Sequence, residues 1–128
     1  MNPLSLSVVK IKEILLVTLP SDPDDSTVAA LQDSVLQQME RHQAKGVVLD
    51  VSAVETLDSF FARTLAETAQ MISIMGGRTI VVGMRPAVAI TTIQIGLALK
   101  GIETALTVDR ALDRVMREQP ATSSGLAQ

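Results

Sequence analysis

The sequence contains no cysteine, no tryptophan and no tyrosine, and only two phenylalanines. Without cysteine there is no disulfide, no thiolate nucleophile and no cysteine-ligated metal, and such a chain suits a reducing compartment. Two aromatic rings leave almost nothing on which bases or sugars could stack, which disfavours a nucleic-acid platform. Positive charge is thin as well: eleven Lys and Arg stand against fourteen Asp and Glu, for a net charge of −3. Arg110, Arg114 and Arg117 come nearest to a basic cluster, and their i, i+4, i+7 spacing reads as a solvated helix face, not a phosphate track. The longest apolar runs, such as Ile14-Leu15-Leu16-Val17, fall far short of the roughly 20 residues of a membrane span. Met1 to Ser5 lacks the basic region and long apolar stretch of a signal peptide. These absences predict a soluble, cytoplasmic protein with neither a nucleic-acid nor a membrane partner.

What is present is aliphatic. The chain has 128 residues, 47% of them hydrophobic, enough for one domain with a core of Val, Leu, Ile, Ala and Met. Leu4 to Ile11 alternates apolar and polar residues and reads as a half-buried strand. Lys12-Glu13 is a turn, and Ile14 to Leu19 is a second strand that closes a hairpin. Pro20 to Asp25 breaks the pattern and supplies acidic residues for a helix start. Val28, Leu31, Val35, Leu36 and Met39 then mark an amphipathic helix reaching about His42. Val47 to Val51 is a short apolar run suited to a central strand. After a loop, a helix runs from about Ser59 to Met75, with Phe61, Leu65, Ala69 and Ile72 on one face and Gly76-Gly77 as its stop.

Thr79 to Gly83 is the next strand. Pro86 opens a third helix from its first position, with Gly96 near its end, and residues 87–95 are apolar nearly all round, which calls for a central place or a covering partner. Glu103 to Leu106 is extended. Thr107 caps a last helix with a Val108, Ala111, Leu112, Val115, Met116 stripe. Residues 119–128 are small and polar and predict a disordered tail, leaving 1–118 as the domain. The order β-β-α-β-α-β-α-β-α predicts an α/β fold, a mixed and mostly parallel sheet with about four helices.

Most candidate chemistry has a simpler reading. Gly76-Gly77 follows a helix and Gly83 has no second glycine, so neither forms a phosphate loop. Asp22, Asp24 and Asp25 lack the glycine and distal glutamate of a calcium loop. His42, the single histidine, sits near a helix C-terminus, where partial positive charge is favourable. Asp50 and Asp58 would be the carboxylates of any acid–base enzyme, yet both are also ordinary loop and cap residues. The segment Glu55-Thr56-Leu57-Asp58-Ser59-Phe60-Phe61 stands apart. A buried strand leads through a loop to an Asp-Ser pair at a helix start, where Asp58 or Ser59 would be the N-cap. Both aromatics of the chain lie beside it, and Phe60 falls on the side of Arg63, Thr64 and Glu67, as a docking surface would require.

This strand-loop-Asp-Ser-helix arrangement in an acidic, cysteine-free chain resembles the STAS domains of the anti-sigma-factor-antagonist type. Val47-Val48-Leu49-Asp50 with Leu57-Asp58-Ser59-Phe60, Gly83-Met84-Arg85-Pro86-Ala87-Val88-Ala89 continuing to Leu97, and Gly101-Ile102-Glu103-Thr104-Ala105-Leu106 are closer to the RsbS-type stressosome scaffold branch. The likeness covers about residues 4 to 118. Simple anti-anti-sigma factors carry Asp-Ser-Ser-Gly at the loop, where this chain has Phe60 and Phe61. Sensor-bearing paralogues usually have Thr in place of Ser59 and an added N-terminal sensory domain, for which the residues ahead of the first strand leave no room.

The resemblance implies a non-enzymatic phospho-switch. It would hold an RsbT-type serine/threonine kinase while unmodified and release it once that kinase phosphorylates Ser59. A dedicated phosphatase would reset it. The kinase brings ATP and magnesium, so no cofactor or metal is expected in this chain. Asp58 and Phe60 would form the partner-binding context, and RsbR-like sensor-bearing paralogues and further copies of the chain would join it in a large stressosome. Thr91 and Thr92 lie near a second site used by the sensor paralogues, with no residue-by-residue correspondence. The alternatives are a simple partner-switching anti-anti-sigma factor, a STAS-type small-ligand module, and a weak enzyme using Asp50 and Asp58.

Overall fold

Lys12 turns the chain back on itself at φ 56, the left-handed conformation that two-residue hairpin turns require. The strands it joins, β1 (Ser7–Ile11) and β2 (Ile14–Thr18), pair antiparallel with Ile11 opposite Ile14. The structure is a computed structural model and describes residues 7–94 and 102–117. The first part of the expected N-terminal strand, the third helix beyond Gln94 and the expected tail lie outside those residues.

Helix α1 (Asp25–His42) starts where the aspartate cluster predicts, with Asp24 as N-cap accepting the Thr27 N–H. That bond holds the Asp24 carboxyl below its ordinary value. Strand β3 (Gly46–Asp50), helix α2 (Ser59–Ile74), strand β4 (Arg78–Val82), helix α3 (Pro86–Gln94), strand β5 (Ile102–Ala105) and helix α4 (Val108–Arg117) follow. Helix α2 ends at Gly76, whose φ of 92 lets the Gly77 N–H bond back to the Ile72 carbonyl at 2.9 Å. Any residue with a Cβ is strained in that conformation.

The strands lie in the order β1-β2-β3-β4-β5, and β2 to β5 are all parallel. A crossover that steps steadily in one direction, with the usual right hand, keeps its helices on one face of the sheet. Helices α1, α2 and α3 accordingly share a face: Val28, Leu31 and Val35 of α1, Phe61, Leu65 and Ile72 of α2 and Val88 of α3 meet Leu15, Val17, Val47, Leu49 and Val81 in one core. Helix α4 covers the other face, where Ala111 and Val115 pack on Ile14, Val48, Ile80 and Val82. Alternate residues of β3 and β4 point into these two cores, which is why both strands read as continuous apolar runs.

Two expectations change in three dimensions. The arginines of α4 are not a uniformly solvated face. Arg114 donates to the Thr104 carbonyl at 3.0 Å and lies 3.6 Å from Glu103, which Arg78 grips through two bonds of 2.8 and 2.6 Å. Arg110 is exposed as foreseen, and so is Arg117, in an i, i+4 pair with Asp113. Thr64 was expected on the polar side of α2 and is buried instead, because α1 packs alongside. There Gln32 donates to the Thr68 hydroxyl, which in turn donates to the Thr64 carbonyl. Helix α3, read as apolar nearly all round, is not central: Val88 and Thr92 are buried, while Ile90 and Ile93 are exposed.

Candidate functional site

The loop between β3 and α2 leaves the sheet at the C-terminal ends of the parallel strands, where α/β folds commonly place their sites. Its course is set by three apolar anchors, Val51, Val54 and Leu57, all buried. Its backbone is tied on every side. The Val51 N–H bonds to the Val82 carbonyl at 3.0 Å, the Val54 N–H to the Val51 carbonyl at 3.0 Å and the Glu55 N–H to the Ser21 carbonyl at 3.0 Å. One Asp50 carboxylate oxygen accepts both the Ser52 N–H at 3.0 Å and the Ser52 hydroxyl at 2.7 Å, fixing the turn out of the strand.

Two residues of the neighbouring β4–α3 connection complete the brace. Arg85 donates its Nε–H to the Ser52 carbonyl at 2.9 Å. Gly83 has φ +78 and lies so close to Ser52 that an added Cβ would stand 2.8 Å from the Ser52 Cβ. The glycine therefore serves the close approach of two loops. Sequence reasoning gave Arg85 no role; the Gly83-Met84-Arg85-Pro86 motif was the signal, but its partner lies 33 residues away.

Asp58 is the N-cap of α2. Its backbone is extended, and its carboxylate accepts the Phe61 N–H at 2.8 Å. The choice between Asp58 and Ser59 as cap is thus settled in favour of Asp58, and Ser59 becomes the first helical residue. Its hydroxyl is left out of the capping bond, and Ser59 is exposed. Phe61 turns inward and is 3% exposed, whereas Phe60, one residue earlier, is 37% exposed. The capped turn therefore presents Asp58, Ser59 and Phe60 together at the surface. The first-turn N–H groups of Ser59 and Phe60 have no acceptor within the helix, so the locus favours negative charge.

Asp50 and Asp58 are each engaged with their own turn or helix start. Among the described residues no group of three or more His, Asp or Glu side chains is placed to hold a metal ion. No described helix is long and apolar enough to cross a membrane.

Comparison with known proteins bears on the family and the fold. The chain is similar to solved structures of RsbS and of the stressosome. A serine-to-glutamate variant of RsbS from Moorella thermoacetica is 31% identical, with a TM-score of 0.78, covering 88% of this chain and 96% of that one. The anti-sigma factor antagonist SpoIIAA in its unphosphorylated form is 17% identical with a TM-score of 0.73 over 87% of this chain and 96% of that one, a likeness of fold. Among curated proteins, the RsbT co-antagonist RsbRD of Bacillus subtilis (strain 168) is 27% identical over 87% of this chain and 40% of its own length. Its paralogue RsbRA in the same organism is 20% identical over 91% of this chain and 43% of its own, so the chain spans about two fifths of the curated relatives it matches. The STAS domain pattern matches residues 5–111. The chain belongs to the STAS domain family, and within it is similar to the RsbS proteins of the stressosome.

Proposed function

We propose that this chain is a non-enzymatic phospho-switch and scaffold of the stressosome, acting in the environmental stress response. Unmodified, it holds an RsbT-type serine/threonine kinase; phosphorylated on Ser59 by that kinase, it lets go. The observation that carries this reading is the division of labour at the start of α2: Asp58 does the capping, which leaves the Ser59 hydroxyl exposed beside the exposed ring of Phe60. Similarity to the RsbS structures supports the same reading.

In the reaction the γ-phosphoryl group of ATP passes to the Ser59 Oγ. ADP leaves, and the hydroxyl proton goes to the kinase's base or to solvent. The kinase contributes the nucleotide and magnesium; this chain contributes the acceptor and its presentation. A phosphoserine carries about −1.5 to −2 charges at neutral pH. At the N-terminus of α2 that charge meets free N–H groups and the positive end of the helix dipole, so the fold tolerates it. A partner packed over Phe60 does not. It would have to bury the new charge next to the Asp58 carboxylate, and burying an unpaired charge costs several kcal/mol. The signal is thus read at the surface, not by melting the helix. A phosphatase resets the switch, and RsbR-like sensor-bearing paralogues and further copies of this chain complete the cytoplasmic assembly.

Incubated with an RsbT-type kinase and ATP, the chain is expected to gain one phosphate, mapped by mass spectrometry to Ser59. A phosphate placed elsewhere, or Ser59→Ala modified to the same extent, overturns the assignment. Mixed with an RsbR-like paralogue, the chain is expected to sediment as a very large particle. Two separate small species would favour a simple partner-switching module instead.

A further inference from the structure

The two edges of the sheet are treated differently. At one stands β5, four residues long, whose outward Thr104 carbonyl is taken by Arg114 at 3.0 Å. A short edge with its polar groups occupied is a poor template for another strand. At the other stands β1, and among the described residues no strand pairs with its outer side. The tight turn at Lys12 and Glu13 makes Ile11 and Ile14 a hydrogen-bonded pair. The alternation of an antiparallel ladder gives Val9–Leu16 and Ser7–Thr18 the same character. The N–H and C=O groups of Ser7, Val9 and Ile11 therefore face β2, and those of Val8 and Lys10 point out of the sheet. Between them Val9 is 49% exposed, the one large apolar strand residue, among those described, that stands open. It lies on the α4 side, like its partner Leu16, but the core there stops at β2.

An open edge is a template for a further strand, and β1 is complementary to itself. Set antiparallel to a second β1 about a two-fold axis through Val9, its five residues pair without overhang: Val9 with Val9, Val8 with Lys10, Ser7 with Ile11. The outward groups then match. Val8 and Lys10 form the hydrogen-bonded pairs on either side, and Val9–Val9 is the close, non-hydrogen-bonded pair between them. Lys10, the strand's only charge, meets Val8. A shift of two residues one way sets Lys10 against Lys10, which is repulsive. A shift of two the other way leaves Lys10 and Ile11 without partners among the described residues. A self-complementary patch is what a two-fold interface requires. We propose that β1 is a dimerisation edge, through which two copies of this chain join their sheets into one. This goes beyond the phospho-switch reading and does not depend on Ser59. Five residues a side is small against the roughly 20–30 of a stable interface, so the isolated dimer is weak and gains from repetition in a larger assembly.

The lack of native cysteine makes the register directly readable. In Val9→Cys the two thiols stand on a close pair, with Cα atoms about 4.5 Å apart, inside the disulfide range. In Lys10→Cys they lie diagonally, about 8 Å apart, outside it. Under mild oxidation with copper phenanthroline, Val9→Cys is expected to give a disulfide-linked dimer. Lys10→Cys alone is not, whereas Lys10→Cys mixed with Val8→Cys is. Ultracentrifugation of the parent from about 1 μM to about 1 mM, the span of modest affinities, is expected to show a reversible monomer–dimer equilibrium. Lys10→Pro removes an N–H that the fold itself does not use and should raise the dissociation constant about tenfold. Lys10→Ala keeps that N–H and should leave the constant within about twofold. A parent that stays monomeric throughout, with no link in Val9→Cys, overturns the proposal. So does a dimer linked through Ile74→Cys or Ile93→Cys and not through Val9→Cys, which seats the second copy on α2 or α3. Linking of Val9→Cys only to an RsbR-like paralogue gives the edge to a different strand and overturns it as well. Each of these results leaves the Ser59 reading untouched, and a failure of Ser59 phosphorylation leaves the edge untouched.

Discussion

Among the described residues, three helices bury an apolar core of eighteen residues on one face of the sheet, while α4 alone closes a core of six on the other, two of them its own. The thinner face is secured at its margin by Arg78, Glu103 and Arg114, which tie β4, β5 and α4 together. The contrast teaches where this domain has put its rigidity. The phosphoacceptor turn belongs to the thick face: Val54, Leu57 and Phe61 are members of its core. A modification that arrives on Ser59 therefore meets a platform whose underside is held by apolar packing, to which no charge contributes. The α4 face depends in part on charge, and charge responds to salt and to pH.

The largest effect is expected where the thick face is cut. Leu65 is 1% exposed beneath α2, and Leu65→Ala should cost about 2–5 kcal/mol, through lost burial and the cavity left behind. Denaturant unfolding checks this. The loss should be much the same at pH 7 and pH 4, because the substitution removes buried apolar surface and changes no charge.

A smaller effect, but one that varies with pH, is expected on the other face. The hydrogen bonds from Arg78 hold the Glu103 carboxyl below its ordinary value of 4.5, opposed by burial and helped by the charges of Arg78 and Arg114. The folded state thus releases this proton more readily than the unfolded chain does. The stabilisation is complete above about pH 4.5 and is lost as pH falls through the lower folded value. Glu103 is 35% exposed in its side chain, so solvent screening keeps the contribution to about 1 kcal/mol or less. Glu103→Gln should lower stability by that amount at pH 7 and flatten the acid side of the stability profile. A parallel profile displaced equally at every pH would mean that the pair contributes packing alone.

How much of this was legible in the sequence differs between the two faces. Periodicity exposed the stripes of α1 and α2 because each repeats over several turns, and Phe61, Leu65, Ala69 and Ile72 are buried as their spacing requires. The Asp58-Ser59 turn was legible as a cap, but which residue caps depends on one hydrogen bond to Phe61, and both residue types suit that position. The pair Arg78–Glu103 was not legible, because its partners lie 25 residues apart on adjacent strands and no local pattern links them. Thr64 was misplaced for a related reason: the wheel of α2 alone does not show that α1 lies against its flank. The brace from Arg85 to Ser52 was hidden in the same way. Local order is written in neighbouring residues, whereas the devices that position the site join distant ones.

The account turns on one claim, that charge on Ser59 leaves the fold intact and is read by the partner. Titration of an RsbT-type kinase with the unmodified chain and with Ser59→Asp, alongside thermal melts of both, tests it directly. A carboxylate at the first turn of α2 should leave stability unchanged or raise it by about 0.3–1 kcal/mol. Kinase affinity should fall at least tenfold, about 1.4 kcal/mol. Equal affinity for both forms, or loss of α2 by circular dichroism in Ser59→Asp, would contradict it.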